Sequence, residues 1–415
     1  MVFITIQTVG FLFQVGSLVL VGRMLGASMQ GQFAVIRAAV YLAEAVLWLG
    51  VSSSTTYFVA RDRSRYLTPL LTIAVVHLAV AIAGIVLLIS LLPSELAHSV
   101  RAVRAELMPF AVWLTCFALM QTAQRILLGL RRFLLYGVVG IVAGAVTCSV
   151  TLVMTELVGA RSLAAATTPY IIGCAVATFT AVVCERSFTR RWSVPSRDVL
   201  RESYEVGIKG YTSSVAFIGL YRVDLLLMTR YIDPRLVGLY AMASAAAEAV
   251  QKVPDWLASV LSPIVASGRD PEGQVTRVRL LQALAATALL IAGVEAARLG
   301  GMSPLTTVFG ADYNGTDGLF LLLAPKVLLH ASMVIFAGYL AGRGYPLLHP
   351  AAGIAALATL VAVDLQLIPR WGLQGAVTGI TLAYAVANVV MFVGYRSERR
   401  KLVGLGVATP IPAAS

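Results

Sequence analysis

Residues 215–241 read VAFIGLYRVDLLLMTRYIDPRLVGLYA, an apolar segment with an arginine and an aspartate near its middle. A spanning helix needs about 20 mostly apolar residues, so this segment is long enough to cross a bilayer. Its end, RYIDPRLVGLYA (230–241), repeats a pattern found near the start of the chain, RMLGASMQGQFA (23–34). Both stretches begin with Arg and have Gly eight residues later. An aromatic residue follows two positions after the Gly, and Ala comes directly after it. The segment predicts an integral membrane protein with an internal duplication.

The composition of the whole chain supports a membrane protein. Hydrophobic residues make up 59% and charged residues 13% of the 415 residues, and the mean hydropathy is +0.84. Soluble domains are about 45–50% apolar and about 25% charged. The net charge of +12 fits the enrichment of Lys and Arg in cytoplasmic loops, so we expect no nucleic-acid partner. The four cysteines form no CxxC and the four histidines no metal-binding pair, so we expect no metal and no cofactor.

Twelve segments are long and apolar enough to span the membrane. They lie near 2–22, 32–60, 67–92, 107–130, 134–156, 163–184, 205–231, 236–266, 278–300, 317–342, 347–368 and 373–395. We therefore predict an all-α membrane protein with a six-helix lobe (1–184), a basic cytoplasmic linker (185–204), a second six-helix lobe (205–401) and a disordered tail (402–415).

Two further pairs of stretches support the duplication. LGLRRFLL (128–135) resembles LAGRGYPL (340–347), with Arg131 opposite Arg343, and GARSLAAAT (159–167) resembles PRWGLQGAV (369–377), with Leu163 opposite Leu373. All three pairs occur in the same order at nearly the same offset. Since six is an even number, both halves enter the membrane in the same sense and form parallel repeats, an arrangement typical of transporters.

The distribution of basic residues predicts the orientation. If the N-terminus is inside, the inner loops hold 20 of the 32 Lys and Arg residues and the outer loops hold 8. This bias predicts a multi-pass protein with both termini in the cytoplasm.

Charged side chains inside the predicted helices are the candidate functional residues. An ionised group at mid-bilayer costs about 2.5–3.5 kcal/mol, so it faces other helices or a wet cavity. The cations that we expect to line a lumen and bind an anionic substrate are Arg37, Arg222, Lys252 and Lys326. The carboxylates that are candidates for ion coupling are Glu44, Asp224, Glu248 and Asp255, and the polar lumen candidates are Gln7, Gln14 and Tyr211. Structural pairing between helices is the alternative for each charge, and a local pair of Glu248 with Lys252 is one such case.

The chain resembles the lipid-linked oligosaccharide flippases of polysaccharide biosynthesis (Wzx-like) in the multidrug/oligosaccharidyl-lipid/polysaccharide (MOP) exporter superfamily. The resemblance rests on five stretches, GRMLGASMQGQFAVI (22–36), LGVSSSTTYFVAR (49–61), GLYRVDLLLMTRYIDPRLVGLYAMA (219–243), FGADY (309–313) and LIPRWGLQGA (367–376). It implies two six-helix lobes in a V, alternating access, and no enzymatic activity. The implied substrate is an undecaprenyl-pyrophosphate-linked glycan, moved from the inner to the outer leaflet of the bacterial plasma membrane with coupling to H⁺ or Na⁺.

Two other functions stay open at this point. A multidrug or metabolite/cation antiporter has the same fold, although four intramembrane cations argue against cationic substrates. A scaffold that holds a glycosyltransferase or polymerase without transporting anything would use the basic 186–201 loop for docking.

Overall fold

The computed structural model describes residues 2–47, 51–91, 101–185, 188, 193, 195–268, 270, 273–344 and 348–404. Within these ranges the regular structure is helical and contains no strand. The helices are α1 (Val2–Leu47), α2 (Val51–Arg61), α3 (Arg63–Leu91), α4 (Arg101–Ala105), α5 (Leu107–Gly129), α6 (Phe133–Glu156), α7 (Leu163–Cys184), α8 (Arg197–Met228), α9 (Pro234–Ala266), α10 (Gln274–Leu299), α11 (Pro304–Phe309), α12 (Thr316–Leu322), α13 (Ala324–Gly342), α14 (Leu348–Trp371) and α15 (Leu373–Gly404).

The predicted spanning segments correspond to these helices. Helix α1 contains the first segment and residues 32–47 of the second. Gly26, with a positive φ of 67°, forms a kink between the two. In the described residues nine helices are apolar and long enough to cross a membrane. Helices α8 and α9 are not among the nine, because charged residues lower their hydropathy, but their 32 and 33 residues exceed the length a bilayer needs. The all-α membrane fold is confirmed, and the twelve-segment layout is consistent with it.

The chain forms two compact units. Unit 1 contains Met1–Ile218 and Asp233–Gly238, and unit 2 contains Gly219–Ile232 and Leu239–Ser415. The division therefore falls inside α8, whereas the lobe boundaries proposed from sequence lie at 184 and 205 and stay predictions. The residues proposed as a disordered tail begin in the last turns of α15, and those after 404 lie outside the described residues.

Within unit 1, the two glycines of the repeated pattern lie against each other's helix. A Cβ on Gly31 would overlap the carbonyl oxygen of Pro234, and a Cβ on Gly238 would overlap the carbonyl oxygen of Ala27. Gly238 is the counterpart of Gly31 and Pro234 is the counterpart of Ala27, at the same offset in sequence. The contact is thus symmetric, which explains why both copies of the pattern need glycine at this position.

A second symmetric contact occurs once in each unit, where a helix ends. In unit 1 a Cβ on Gly129 would lie 2.9 Å from the Cβ of Val59, and in unit 2 a Cβ on Gly342 would lie 2.7 Å from the Cβ of Val265. The two contacts are the same arrangement built from the two halves of the sequence. They support the predicted parallel repeats.

The helix ends adjust one of the sequence alignments. Leu163 and Leu373 each begin a helix, as their pairing predicts. After Gly129 and Gly342, however, the residues in the left-handed conformation are Arg131 (φ 57°) and Gly344 (φ 91°). Arg131 is therefore structurally opposite Gly344, one position from the Arg343 that the sequence pattern matched to it. Matching Arg131 to Arg343 by residue identity therefore shifted the alignment by one position.

Candidate functional site

Unit 2 contains a cluster of charged side chains contributed by α8, α9, α13 and α14. Arg222 of α8 forms a forked ion pair with Glu248 of α9, with distances of 2.6 Å from Nη1 to Oε1 and 3.2 Å from Nη2 to Oε2. The Arg222 side chain is 16% exposed. Two parallel charge-assisted hydrogen bonds give this pair a defined geometry. One of the predicted lumen cations is therefore neutralised by one of the predicted coupling carboxylates.

A second ion-paired group lies further along α9. Lys252 Nζ donates to Asp255 Oδ2 at 3.2 Å, and the other oxygen of Asp255 lies 3.0 Å from Nε2 of His330. Since a carboxylate only accepts hydrogen bonds, His330 must carry a proton on Nε2. The local pair considered from sequence was Glu248 with Lys252. The structure instead pairs Lys252 with Asp255, because Glu248 bonds to Arg222.

Asp224 and Lys326 are the most deeply buried charges of the cluster that the sequence singled out. Asp224 accepts hydrogen bonds from the hydroxyl of Tyr240 at 2.6 Å and from its neighbouring amide at 2.8 Å. Lys326 Nζ lies 3.4 Å from Ser244 Oγ and 5.8 Å from the centre of the Tyr384 ring. The ammonium and the carboxylate act on each other electrostatically, although no direct ion pair joins them. Burial makes this long-range attraction stronger than it would be in water.

Asp364 of α14 is a charged residue that the sequence analysis missed. It is fully buried, and neither carboxylate oxygen has a hydrogen-bond partner in the described part of the chain. The carboxylate packs against the backbone of Gly379 in α15, and Asp224 is close enough to act on it. A buried carboxylate without a donor is costly if ionised. A lone acid within an apolar helix was the available signal, and the rule that flagged Asp224 applies to Asp364 as well.

The charges of this cluster do not balance. Among the described residues that form it, the permanent cations are Arg222, Lys252 and Lys326, and the carboxylates are Asp224, Glu248, Asp255 and Asp364. The carboxylates of this cluster outnumber these three cations by one, His330 beside Asp255 is the remaining ionisable base, and the cationic lumen expected from sequence stays a prediction.

Breaking the Arg222–Glu248 pair should show whether it is a structural contact. We expect Arg222→Gln and Glu248→Gln each to lower the free energy of unfolding by about 1–3 kcal/mol, since each leaves a partly buried charge without its partner. The double variant should lose less than the sum of the two. Denaturant unfolding of the detergent-solubilised protein measures all three, and additive losses would contradict a direct pair.

Unit 1 contains a smaller set of charges. Glu44 is 4% exposed, and its Oε1 lies 3.9 Å from Nη2 of Arg125 in α5. Arg37, seven residues before Glu44 in α1, lies beside the hydroxyl of Tyr170. Among the described residues no carboxylate is within ion-pairing distance of Arg37. Arg37 and Lys326 are thus the two predicted lumen cations without a direct acidic partner among the described residues.

The three polar lumen candidates have different environments. The Tyr211 hydroxyl donates to the carbonyl oxygen of Val46 at 3.0 Å, where α1 ends, so this side chain supports a helix terminus in unit 1. Gln14 is exposed, and its Cγ lies near Gly144 of α6. The side chain of Gln7 lies outside the described residues. No group of three or more metal-ligating side chains occurs in the part of the chain that the structure describes.

Comparison with solved structures defines the fold. The chain aligns with a multidrug resistance MATE family transporter of the MOP superfamily in its inward-facing conformation, with a TM-score of 0.74, 14% identity, and 96% of each chain covered. It also aligns with the lipid II flippase MurJ (TM-score 0.75, 11% identity, covering 96% of this chain and 90% of that one). The chain has the fold of the MOP superfamily.

The MOP fold accommodates a wide range of relatives. A eukaryotic MATE transporter, AtDTX14, aligns with a TM-score of 0.63 and 16% identity, over 98% of this chain and 96% of that one. No protein-family model and no curated protein sequence matches the chain. The aligned structures are those of transporters and a flippase, and the absence of enzymatic activity in this chain stays a prediction. Because the sequence identities are low, the MOP fold does not by itself select a substrate.

Proposed function

We propose that the chain is an alternating-access flippase. It would move an undecaprenyl-pyrophosphate-linked oligosaccharide from the inner to the outer leaflet of the bacterial plasma membrane. The observation that supports this most directly is Arg37, an arginine inside a spanning helix with no carboxylate at ion-pairing distance in the described residues. A guanidinium in that position favours an anionic ligand, and its planar fork matches the oxygens of a pyrophosphate.

The neighbouring charges of unit 1 strengthen this proposal. Helices α1 and α5 contain Arg23, Arg37 and Arg125 but one acid, Glu44, which lies 3.9 Å from Arg125, so these two helices carry more positive than negative charge. The contact between Arg125 and Glu44 is loose at 3.9 Å, and Nε of Arg125 is buried without a hydrogen-bond partner. In this proposal the Arg125 guanidinium is a second ligand for the phosphate oxygens of the substrate. Arg222, Lys252 and Lys326, also proposed as lumen cations, would contribute less because their charges are offset within unit 2.

Ion coupling is the function that we assign to unit 2. Its cluster has four carboxylates and three permanently cationic side chains, and the two carboxylates with the fewest cationic contacts are Asp224 and Asp364. Entry of one H⁺ or Na⁺ would neutralise one of these two carboxylates, and its release would restore the charge. Such a change alters the cost of burying the cluster and so couples an ion gradient to a conformational change. Glu44, Glu248 and Asp255 would have structural roles because each contacts a cation.

The main competing function is a multidrug or metabolite/cation antiporter. The four carboxylates clustered in unit 2 favour it, together with the tyrosine rings of Tyr221 and Tyr384, which would contact an organic cation. The two proposals differ in the sign of the charge that the substrate carries. Under the flippase proposal the substrate is delivered and used by glycosyltransferases or a polymerase, which are its proposed partners in the membrane.

The distribution of Lys and Arg further leads us to propose that both chain termini lie in the cytoplasm.

Reconstitution of the purified full-length protein tests the choice. Vesicles containing a fluorescent, pyrophosphate-linked glycan lipid should move the label between leaflets faster than protein-free vesicles, as measured with a membrane-impermeant quencher. The same vesicles should not accumulate a cationic dye in response to an ion gradient. Dye transport without lipid movement would favour the antiporter. Absence of both activities in folded protein would favour the non-transporting scaffold.

A further inference from the structure

One end of unit 1 concentrates arginines where several helices begin or end. Helix α2 ends at Arg61, α3 begins at Arg63, and Arg131 and Arg132 lie between α5 and α6. The ends of α2 and α5 are in direct contact, since Gly129 packs against Val59. These four arginines, the arginine cluster, therefore lie on one end of unit 1.

The arginine cluster has more positive than negative charge. Buried Glu185 is shared by Arg63 and Arg132, at 3.6 Å and 3.1 Å. Asp62 lies within the cluster and accepts the backbone amide of Arg65. Arg61 and Arg131 have no ion pair in the described part of the chain. Four guanidinium groups thus face two carboxylates, and two positive charges are left for an external anion.

The backbone at Arg131 indicates that this arginine is there for its side chain. Its φ is 57°, in the left-handed region, and it is the one non-glycine residue described with a positive φ. The equivalent position of the second half is Gly344, which adopts this conformation without cost. Strained positions of this kind occur where a side chain contacts a ligand. In the first half, an arginine occupies the place that glycine would fill more easily.

The residues after the arginines indicate what kind of anion binds. Phe133 and Leu134 begin α6 and are 50% and 61% exposed. Because α6 is a spanning helix, these side chains lie where the acyl chains of the bilayer begin. A soluble anion would gain nothing from them, whereas a phospholipid would contact them with its chains while the arginines hold its phosphate. We propose that the arginine cluster binds the phosphate of an anionic bilayer phospholipid.

The charge surplus distinguishes this site from ordinary positive loops. Arg201, on the same predicted cytoplasmic side, pairs with Glu205 at 2.7 Å within its own helix. Arg65 similarly contacts Glu202. Both arginines are therefore paired with carboxylates of helix α8. In the arginine cluster, basic residues with a surplus of charge adjoin exposed apolar residues, as in lipid headgroup sites between spanning helices.

The sharpest test is Arg131→Gly, because glycine suits the left-handed backbone and should keep the protein folded. Purified full-length protein in detergent is titrated with phosphatidylglycerol or phosphatidylcholine, and retained lipid is counted by native mass spectrometry. Wild-type protein should retain phosphatidylglycerol preferentially. Arg131→Gly should bind it about fivefold more weakly, the effect expected for one basic residue near an anionic headgroup. Arg61→Gln should have a similar effect.

Arg201→Gln is the matched control, since it removes one charge from the same unit and should leave lipid preference unchanged. A wild-type preference for phosphatidylglycerol in both Arg131→Gly and Arg61→Gln would overturn the proposal. Displacement of the lipid by inorganic phosphate at equal concentration would also overturn it, because the cluster would then recognise a free anion.

Discussion

Arg37→Gln should reduce translocation of a pyrophosphate-linked glycan lipid by about 10- to 150-fold while the protein stays folded. This is the loss expected when a charge-assisted hydrogen bond worth about 1.5–3 kcal/mol is removed. Arg37 has no ion-paired acid in the described residues, so its removal leaves no buried carboxylate behind. The measurement is the rate of label movement in reconstituted vesicles at matched protein content. Arg37→Lys should retain part of the rate, because lysine keeps the charge but not the fork.

Two variants separate a substrate contact from a packing role at Arg37. Tyr170→Phe removes the hydroxyl beside Arg37 and leaves the charge, so flipping should continue at close to the wild-type rate. Arg298→Gln removes a cation that is paired with Glu295 at 2.8 Å and should have no effect. If Tyr170→Phe lowers transport as strongly as Arg37→Gln does, the guanidinium acts by supporting the helices and the substrate assignment is wrong.

Asp364→Asn should abolish the dependence of transport on an ion gradient. For one coupled monovalent ion, a tenfold gradient supplies ~1.4 kcal/mol and about tenfold substrate accumulation. Asparagine has the shape of aspartic acid without its ability to become charged, so the variant should still exchange lipid between leaflets but accumulate none. Steady-state lipid asymmetry in vesicles with an imposed H⁺ or Na⁺ gradient measures this directly.

A second variant tests the same carboxylate from its neighbour. A Cβ on Gly379 would overlap Oδ1 of Asp364, so Gly379→Ala should displace the acid and weaken coupling. Glu295→Gln, which changes a partly exposed carboxylate paired with Arg298, is the control and should leave coupling intact. Full gradient-driven accumulation in Asp364→Asn would exclude this carboxylate as the coupling site, whatever the result for Arg37.

Much of the fold was predictable because it depends on properties that are local in sequence. Bilayer thickness requires long apolar runs, and those runs are visible directly in the chain. The repeated Arg-to-Gly pattern was predictive as well, since Gly31 and Gly238 make equivalent contacts with the two helices. Helix ends were less predictable. The register around Arg131 was wrong by one because matching letters do not reveal which residue adopts a left-handed backbone.

The candidate site was predicted less well, because its chemistry depends on contacts between helices far apart in sequence. Composition and segment hydropathy determined that the chain is a membrane protein and that Arg222, Lys252 and Lys326 would avoid lipid. Only the tertiary structure decided that Glu248 neutralises Arg222 and that Asp255 joins Lys252 to His330. It also identified Asp364 as a buried acid without a donor in the described residues. The physical reason is that the cost of burying a charged side chain depends on that residue alone. Its neutralisation depends on the distance to an opposite charge, and only the packing of the helices brings the two charges together.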